Sequence, residues 1–450
     1  MTKTNNFTEG KIFSPLIKFA LPVLLALFLQ ALYGAVDLLI VGQFGGENAE
    51  VYVSAVSTGS QLMHTLTIVI TSLAMGLTVF VGRKIGAGQK EEAGRIIGSG
   101  IWFFAIVGIV LTVVAVLCSS LLASVIQAPE EAFEDTVKYI MICSAGTIFI
   151  VAYNLVGSIF RGLGDSKIPL ITVAIACVLN IVGDLVLVAV FHMGAAGAAL
   201  ATVFAQGFSV LLSILIIRRR ELPFTFTLKH ISPQKAYIKE IVKIGTPIAL
   251  QELLVGISFL VILAIVNDIG LTESAGVGVA EKLCGFIMLI PSSFMQSMSA
   301  FVAQNIGARK PERARKALWC GIVLSLTAGV VMGALSFFKG DLLSGIFAKD
   351  TPVIMAAWEY LKAYGIDCLF TAFLFCFIGY FNGCSATSFV MVQGMIGAFG
   401  IRLPLCWIIS RYTNSLFLIG LSTPSSTIVQ IILCFIYLKV LTNRQKKETL

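Results

Sequence analysis

PLIKFALPVLLALFLQALYGAVDLLIVG, residues Pro15–Gly42, is the stretch from which the fold can be read. It is almost unbroken apolar sequence, long enough at ~1.5 Å per residue to cross a ~30 Å hydrocarbon core with some tilt. Two residues make it more than an anchor. Pro22 removes a helix hydrogen bond. Asp37 places a carboxylate where burial in lipid costs several kcal/mol. Gln30, Tyr33 and Asp37 follow at i, i+3 and i+7 and so share one helix face. Asp37 therefore either holds a neighbouring helix or binds an ion along a transport path.

The rest of the chain repeats the pattern. Of 450 residues, 57% are hydrophobic and only 12% charged, too few charges to cover a soluble surface. Apolar runs of full helical length exclude a β-barrel. The expected fold class is an all-α integral membrane protein. Twelve spans are expected at about 15–42, 53–82, 95–124, 136–160, 168–191, 195–217, 241–268, 274–304, 314–338, 353–380, 387–410 and 415–440. The polar start, MTKTNNFTEGKIFSP, runs into a full span and reads as no cleaved signal peptide. Ten cysteines lie in or beside apolar segments without a C-x-x-C pair, so they read as small core residues.

Charge sets the orientation. Lys3, Lys11 and Lys18 precede the first span, and Arg83, Lys84, Lys90 and Arg95 follow the second. Arg161 and Lys167 follow the fourth. Arg218, Arg219, Arg220, Lys229, Lys235, Lys239 and Lys243 fill the central connection. Arg309, Lys310, Arg313, Arg315 and Lys316 follow the eighth span, and Lys439, Arg444, Lys446 and Lys447 close the chain. The alternate connections carry Glu47, Glu50, Glu130, Glu131, Glu134, Asp135, Asp268 and Glu273. Both termini are expected in the cytoplasm. The net charge of +8 sits in these one-sided loops and does not point to nucleic acid.

An internal repeat organises the chain. VGRKIGAG at Val81–Gly88 recurs as VAQNIGAR at Val302–Arg309, and FRGLGDS at Phe160–Ser166 as FNGCSAT at Phe381–Thr387. Both recur 221 residues on. Leu21–Pro22 matches Thr246–Pro247. Two six-helix halves in parallel orientation follow, with expected bounds 1–217, a linker at 218–240, and 241–450. In this register Asn180 aligns with Ile401 and Asp184 with Leu405, and Asp37 aligns with Ile262 once a shorter loop in the second half is allowed for, so the first half carries carboxylates where the second carries aliphatics.

Depth points to convergence. Asp37 lies 19 residues beyond Lys18, and Asp184 lies 17 beyond Lys167, a difference of only about 3 Å along the membrane normal. Asn180 and Asp184 share a face at i, i+4, and Thr202 is eight residues into the returning sixth span. Two carboxylates, an amide and a hydroxyl at one level suit a proton or Na⁺. Two close carboxylates in low dielectric oppose each other's ionisation, so the pair is expected to hold a proton near neutral pH. The competing reading is a polar network that joins helices. In the second half the intramembrane charges read are Glu252, Glu281, Lys282 and Arg402, with Glu281 and Arg402 expected to pair. Glu281 reads either as an acid for cationic substrates or as one half of a structural ion pair. Met288, Met295, Met298, Phe286 and Phe294 supply adaptable apolar lining or ordinary packing. His64, His192 and His230 are scattered, and Gly82–Gly88 follows a helix, so no nucleotide site, nucleophile–base pair or metal cluster is read. Transport must then be secondary, and the chain is not read as an enzyme.

Taken together, these motifs resemble the multidrug and toxic compound extrusion (MATE) family, and more closely its DinF-like branch of the MOP flippase superfamily. The resemblance covers essentially the whole chain. It rests on Pro22 with Asp37 in V-D-x-x-x-V-G, IGAG and IGAR after the second and eighth spans, RGLGD after the fourth, and Asn180-x-x-x-Asp184. It implies two six-helix lobes about a V-shaped cavity and export of amphipathic cations from the cell in exchange for H⁺ or Na⁺, with no cofactor. The expected working unit is a monomer in the lipid bilayer. The branch's cation site carries over to Asp37, Asn180, Asp184 and Thr202, with Na⁺ able to use the first three. Gln30 and Tyr33 line the same cavity, Glu281 and Met288 extend the expected substrate lining, and Pro22 is the expected hinge. One departure stands out: some relatives carry a glutamate about two turns after the seventh-span proline, whereas Glu252 follows Pro247 by five residues. A lipid-linked glycan flippase is the alternative reading. It would call for extra spans and a cavity lined with Lys and Arg.

Overall fold

A computed structural model of the chain describes residues 7–219 and 222–449, with side chains to Arg444. Lys3 and Arg220 lie outside the described residues, and Lys446 and Lys447 are described by backbone alone.

Each expected span coincides with helix. The first is Phe13–Phe44 and the second Ala49–Gly86. The third is Lys90–Leu117, followed by the short helix Ser119–Val125. The fourth is broken: Glu130–Ala145 and Thr147–Gly162 meet at a 49° bend. Gly146 sits at that break, where a side chain would run into Val203. The fifth is Lys167–Asp184, extended by a π-helical turn at Leu185–Val190, and the sixth is Gly194–Arg218. The second half follows with Lys235–Asn267, then Leu271–Ile287 continued by Leu289–Gly307, then Pro311–Ser344 and Thr351–Gly383. The eleventh span passes through a π turn at Ile396–Arg402 between Thr387–Met395 and Leu403–Tyr412. The twelfth joins Leu416–Gly420 to Ser422–Thr449. Among the described residues, eleven helices are long and apolar enough to cross a membrane, and the bent pair makes twelve. The protein is a multi-pass membrane protein of two pseudo-symmetric six-helix halves.

The repeat holds down to the backbone. Gly88 and Arg309, 221 residues apart, both adopt a left-handed conformation, at φ 76° and 56°. Gly164 and Ser385 do the same, at 82° and 60°. Glycine adopts this conformation freely, whereas Arg309 and Ser385 do so at a cost of about 1 kcal/mol or more each. The helix-ending hydrogen bonds match as well: Gln89 N donates to Lys84 O as Lys310 N does to Asn305 O. Close packing repeats too. A Cβ on Gly162 would lie 2.9 Å from Thr78 O, and one on Gly383 would lie 2.8 Å from Ser299 O. Small residues thus let the fourth span touch the second, and the tenth touch the eighth.

By compactness the chain divides within the first helix of each half. Leu21–Ala249 belongs to one unit. Residues 7–20 and 250 onward belong to the other. In the first unit, Gly76 and Gly245 replace side chains at a helix crossing: a Cβ at Gly245 would run into Leu73 O. In the second, the tenth span is the axis. Its Tyr360, Phe377, Tyr380 and Phe381 are fully buried. The start of the chain is strapped to this unit. Phe7 is buried between Phe19 and Phe301. Arg313 donates to the carbonyls of Phe7, Glu9 and Gly10 at 2.9, 2.8 and 2.7 Å. Asn305 also donates to Phe7 O, and Lys310 to Thr8 O.

Candidate functional site

Asp37, Asn180, Asp184 and Thr202 meet in the first unit. Thr202 Oγ1 donates to Asp37 Oδ2 at 3.3 Å and accepts from Asn180 Nδ2 at 3.3 Å. The carboxyl groups of Asp37 and Asp184 stand close enough for each to affect the charge of the other. The local sequence explains the geometry. Gly183 leaves room for Ala201, whose Cβ would stand 3.0 Å from a Cβ there, so the fifth and sixth spans draw together and Thr202 reaches Asn180. Asp184 closes the regular helix, and the π turn that follows marks a break in the i→i+4 ladder.

All three acidic and amide groups are buried, with Asp37 4%, Asn180 2% and Asp184 0% exposed. Their hydrogen bonding is incomplete. Asp37 Oδ1, Asn180 Oδ1 and both Asp184 oxygens are buried without a donor. Two ionised carboxylates about 4 Å apart at an effective dielectric of 20 would repel by about 4 kcal/mol. One shared proton removes that repulsion. A Na⁺ ion removes it too, and hard-cation chemistry favours an all-oxygen set of this kind.

Gln30 and Tyr33 lie beside this cluster. They line a cavity of about 320 Å³, including its open mouth, together with Tyr153, Asn180, Thr202 and Gln206. Gln30 Nε2 donates to Tyr153 Oη at 2.8 Å, and Tyr33 hydrogen-bonds with Gln206. Tyr153 and Gln206 were not among the expected residues. Gln206 was legible as the i+4 neighbour of Thr202. Tyr153 lies in the fourth span among Tyr153, Asn154 and Ser158, and Thr71 Oγ1 donates to Asn154 at 2.7 Å. Arg161, read as a loop charge, sits in the last helical turn, where it donates to Ser158 Oγ at 2.9 Å.

The other expected residues lie elsewhere. Pro22 is inside the continuous first helix. Met288 stands at the break in the eighth span and lines an apolar crevice with Pro291, Met332 and Cys368. Glu281 does not pair with Arg402. Arg402 donates to Ser258 Oγ at 3.1 Å and stacks over the Phe259 ring at 4.5 Å, because the π turn that ends at Arg402 turns the side chain toward the seventh span. Its charge also reaches Asp367, a buried tenth-span acid that bonds Thr427, without an ion pair between the two among the described residues. Asp367 lies midway along the expected tenth span, within YLKAYGIDCLF, and was not among the intramembrane charges read there. Glu281 Oε1 is buried without a partner. Among the described residues, no three His, Cys, Asp or Glu side chains form a metal site.

Comparison with known proteins agrees with this architecture. The chain is 23% identical over 449 residues to "Probable multidrug resistance protein YoeA" of Bacillus subtilis (strain 168), covering 96% of this chain and 95% of that one. It is 24% identical to "Multidrug export protein MepA" of Staphylococcus haemolyticus (strain JCSC1435), covering 87% and 86%. A solved structure described as the outward-facing conformation of a multidrug resistance MATE family transporter of the MOP superfamily superposes with a TM-score of 0.91, at 19% identity and 99% coverage of both chains. Another, from Pyrococcus furiosus, superposes at 0.92 and 20% identity; its description speaks of a binding pocket of reverse polarity. The family model described as MatE matches residues 22–186 and 247–408, one segment in each half of the repeat. The two segments take in Pro22, Asp37, Asn180 and Asp184 in the first half and Pro247 in the second, and the chain belongs to the MATE family of membrane transporters.

Proposed function

We propose that the chain is a secondary active multidrug efflux antiporter that exports amphipathic cationic compounds in exchange for H⁺ or Na⁺ by alternating access. The observation that carries this reading is the buried cluster of Asp37, Asn180, Asp184 and Thr202, whose four unpartnered oxygens await a proton or cation. The names of the relatives, which are multidrug resistance and export proteins, support the efflux direction and the substrate breadth. In this reading the first lobe, 1–217, couples to the ion, 218–240 links the lobes, and 241–450 forms the second lobe. Both termini lie in the cytoplasm of a cell whose cytoplasmic membrane holds the protein as a monomer. The basic connections after the second, fourth, sixth and eighth spans support that orientation.

Mechanistically, an ion on the first-lobe cluster favours one access state and drug favours the other. Coupling equals the difference in their affinities for the two states. In the first unit the aromatic Tyr33 suits a cationic group through cation–π contact, and in the second the unpartnered Glu281 Oε1 suits one through charge. The test is transport in proteoliposomes with ΔpH, a Na⁺ gradient and voltage imposed one at a time. Accumulation driven by one of the two ion gradients is expected. Movement of drug only down its own gradient under all three would overturn antiport.

A further inference from the structure

Most spans show an apolar outer face. The third exposes Ile106, Ile109, Val110, Val113 and Val114, and the ninth exposes Val323, Val330, Val331 and Leu335, as acyl chains require. The second and eighth spans differ. On the second, Ser57, Gln61 and His64 are exposed along one helix face. Their partners 221 residues on are Gly278, Lys282 and Gly285, of which Lys282 and Gly285 are exposed and Gly278 half-exposed. A Cβ added at Gly278 or Gly285 would meet nothing within 4 Å. These glycines serve no close helix contact, and they leave open space on either side of Lys282.

Lys282 lies eight residues beyond residue 274, where the eighth span is expected to begin, roughly 12 Å along the axis into a ~30 Å core. A lysine stem is too short to carry the ammonium from there to the interface. Lys282 forms no ion pair among the described residues. Glu281, the adjacent residue, projects about 100° away around the helix. An ammonium at this depth requires water and a counter-ion. Among the described residues no side chain supplies the counter-ion, and the open face admits a solute.

We infer that Lys282 is a specificity-determining residue that holds an acidic group on the transported solute. The inference rests on the transport reading and extends it. The solute is an amphiphile that carries an organic anion, such as a carboxylate or sulfonate, in addition to any cationic centre.

The probes are a rhodamine with a free benzoate and its methyl ester, which differ only in that acid. Protein is reconstituted in neutral phosphatidylcholine vesicles, and transport and equilibrium binding are measured for wild type, Lys282→Gln and Lys282→Arg. The Gln variant is expected to lose free-acid binding and transport by roughly tenfold, the scale of one charge pair partly open to water, with the ester unaffected. The Arg variant should retain the acid. Equal handling of the acid by wild type and Lys282→Gln overturns the inference while leaving transport of the ester intact. Failure of wild type to move either dye counts against the transport reading, and binding to the purified protein then decides Lys282 independently. Loss of acid selectivity on adding phosphatidylglycerol assigns the lysine to a lipid headgroup and overturns a solute role.

Discussion

Replacing Asp37 with Asn tests the coupling cluster most directly. The side chain keeps its size and can still accept from Thr202 Oγ1. Its new amide can donate to one of the Asp184 oxygens now without a donor. One added hydrogen bond is worth about 1 kcal/mol, so the variant should be no less stable than wild type. Its energetics of transport should change completely. One proton moving down one pH unit releases 1.36 kcal/mol, enough for a roughly tenfold solute gradient. Two pH units sustain about a hundredfold gradient at one-for-one exchange. If the two carboxylates pass two protons per monovalent cation, each 100 mV adds ~2.3 kcal/mol, or a further fiftyfold. Asp37→Asn should bring this ratio to about one, because the ion no longer distinguishes the two states. Drug binding and drug–drug exchange without an ion gradient should persist. The assay is uptake into inverted vesicles driven by ΔpH and, separately, by Na⁺, with exchange measured in parallel. Asp184→Asn should behave alike, and the double variant little worse than either single one, since the two carboxyls titrate as a unit. Accumulation at the wild-type ratio in Asp37→Asn would refute coupling at this site and leave Asp37 as a helix-joining residue.

Four further outcomes are expected. Gly245→Ala drives a methyl group into Leu73 O and should lower stability by about 2 kcal/mol or more, read as a drop in thermal midpoint. Phe7→Ala empties an aromatic site between Phe19 and Phe301, and about 3 kcal/mol of local stability should be lost. Protease cleavage near residues 8–12 should then accelerate, and Arg313→Ala should show the same pattern. Arg402→Met should lower stability by about 1 kcal/mol through loss of the hydrogen bond to Ser258 and the contact over Phe259, read as a drop in thermal midpoint, whereas Glu281→Gln should leave thermal stability unchanged or higher, since Glu281 Oε1 has no partner to lose. A single cysteine at residue 225 should react with a membrane-impermeant maleimide only from the cytoplasmic side; labelling from outside would reverse the proposed orientation.

The sequence by itself determined the membrane class, the span count and the twofold repeat. Each depends on local properties: hydropathy over twenty residues, and identity of short motifs at one offset. The 221-residue register was even more informative than motif matching alone indicates, since it predicts the left-handed backbone at Arg309 and Ser385 from the glycines at 88 and 164. Depth counting from Lys18 and Lys167 brought Asp37 level with Asp184 because a helix advances uniformly per residue. The same counting misled at Arg402. Depth fixes height in the membrane and leaves azimuth free, and a π turn, invisible in composition, rotates Arg402 onto Ser258 and Phe259 and away from Glu281. Asp367 and Tyr153 became meaningful only through the tertiary structure, because their partners come from other spans. Compactness likewise assigned residues 7–20 to the second unit, with backbone carbonyls held by Asn305, Lys310 and Arg313 at separations of 298, 302 and 306 residues. A carbonyl is common to every residue and leaves no mark in the sequence, so only the fold could decide that contact.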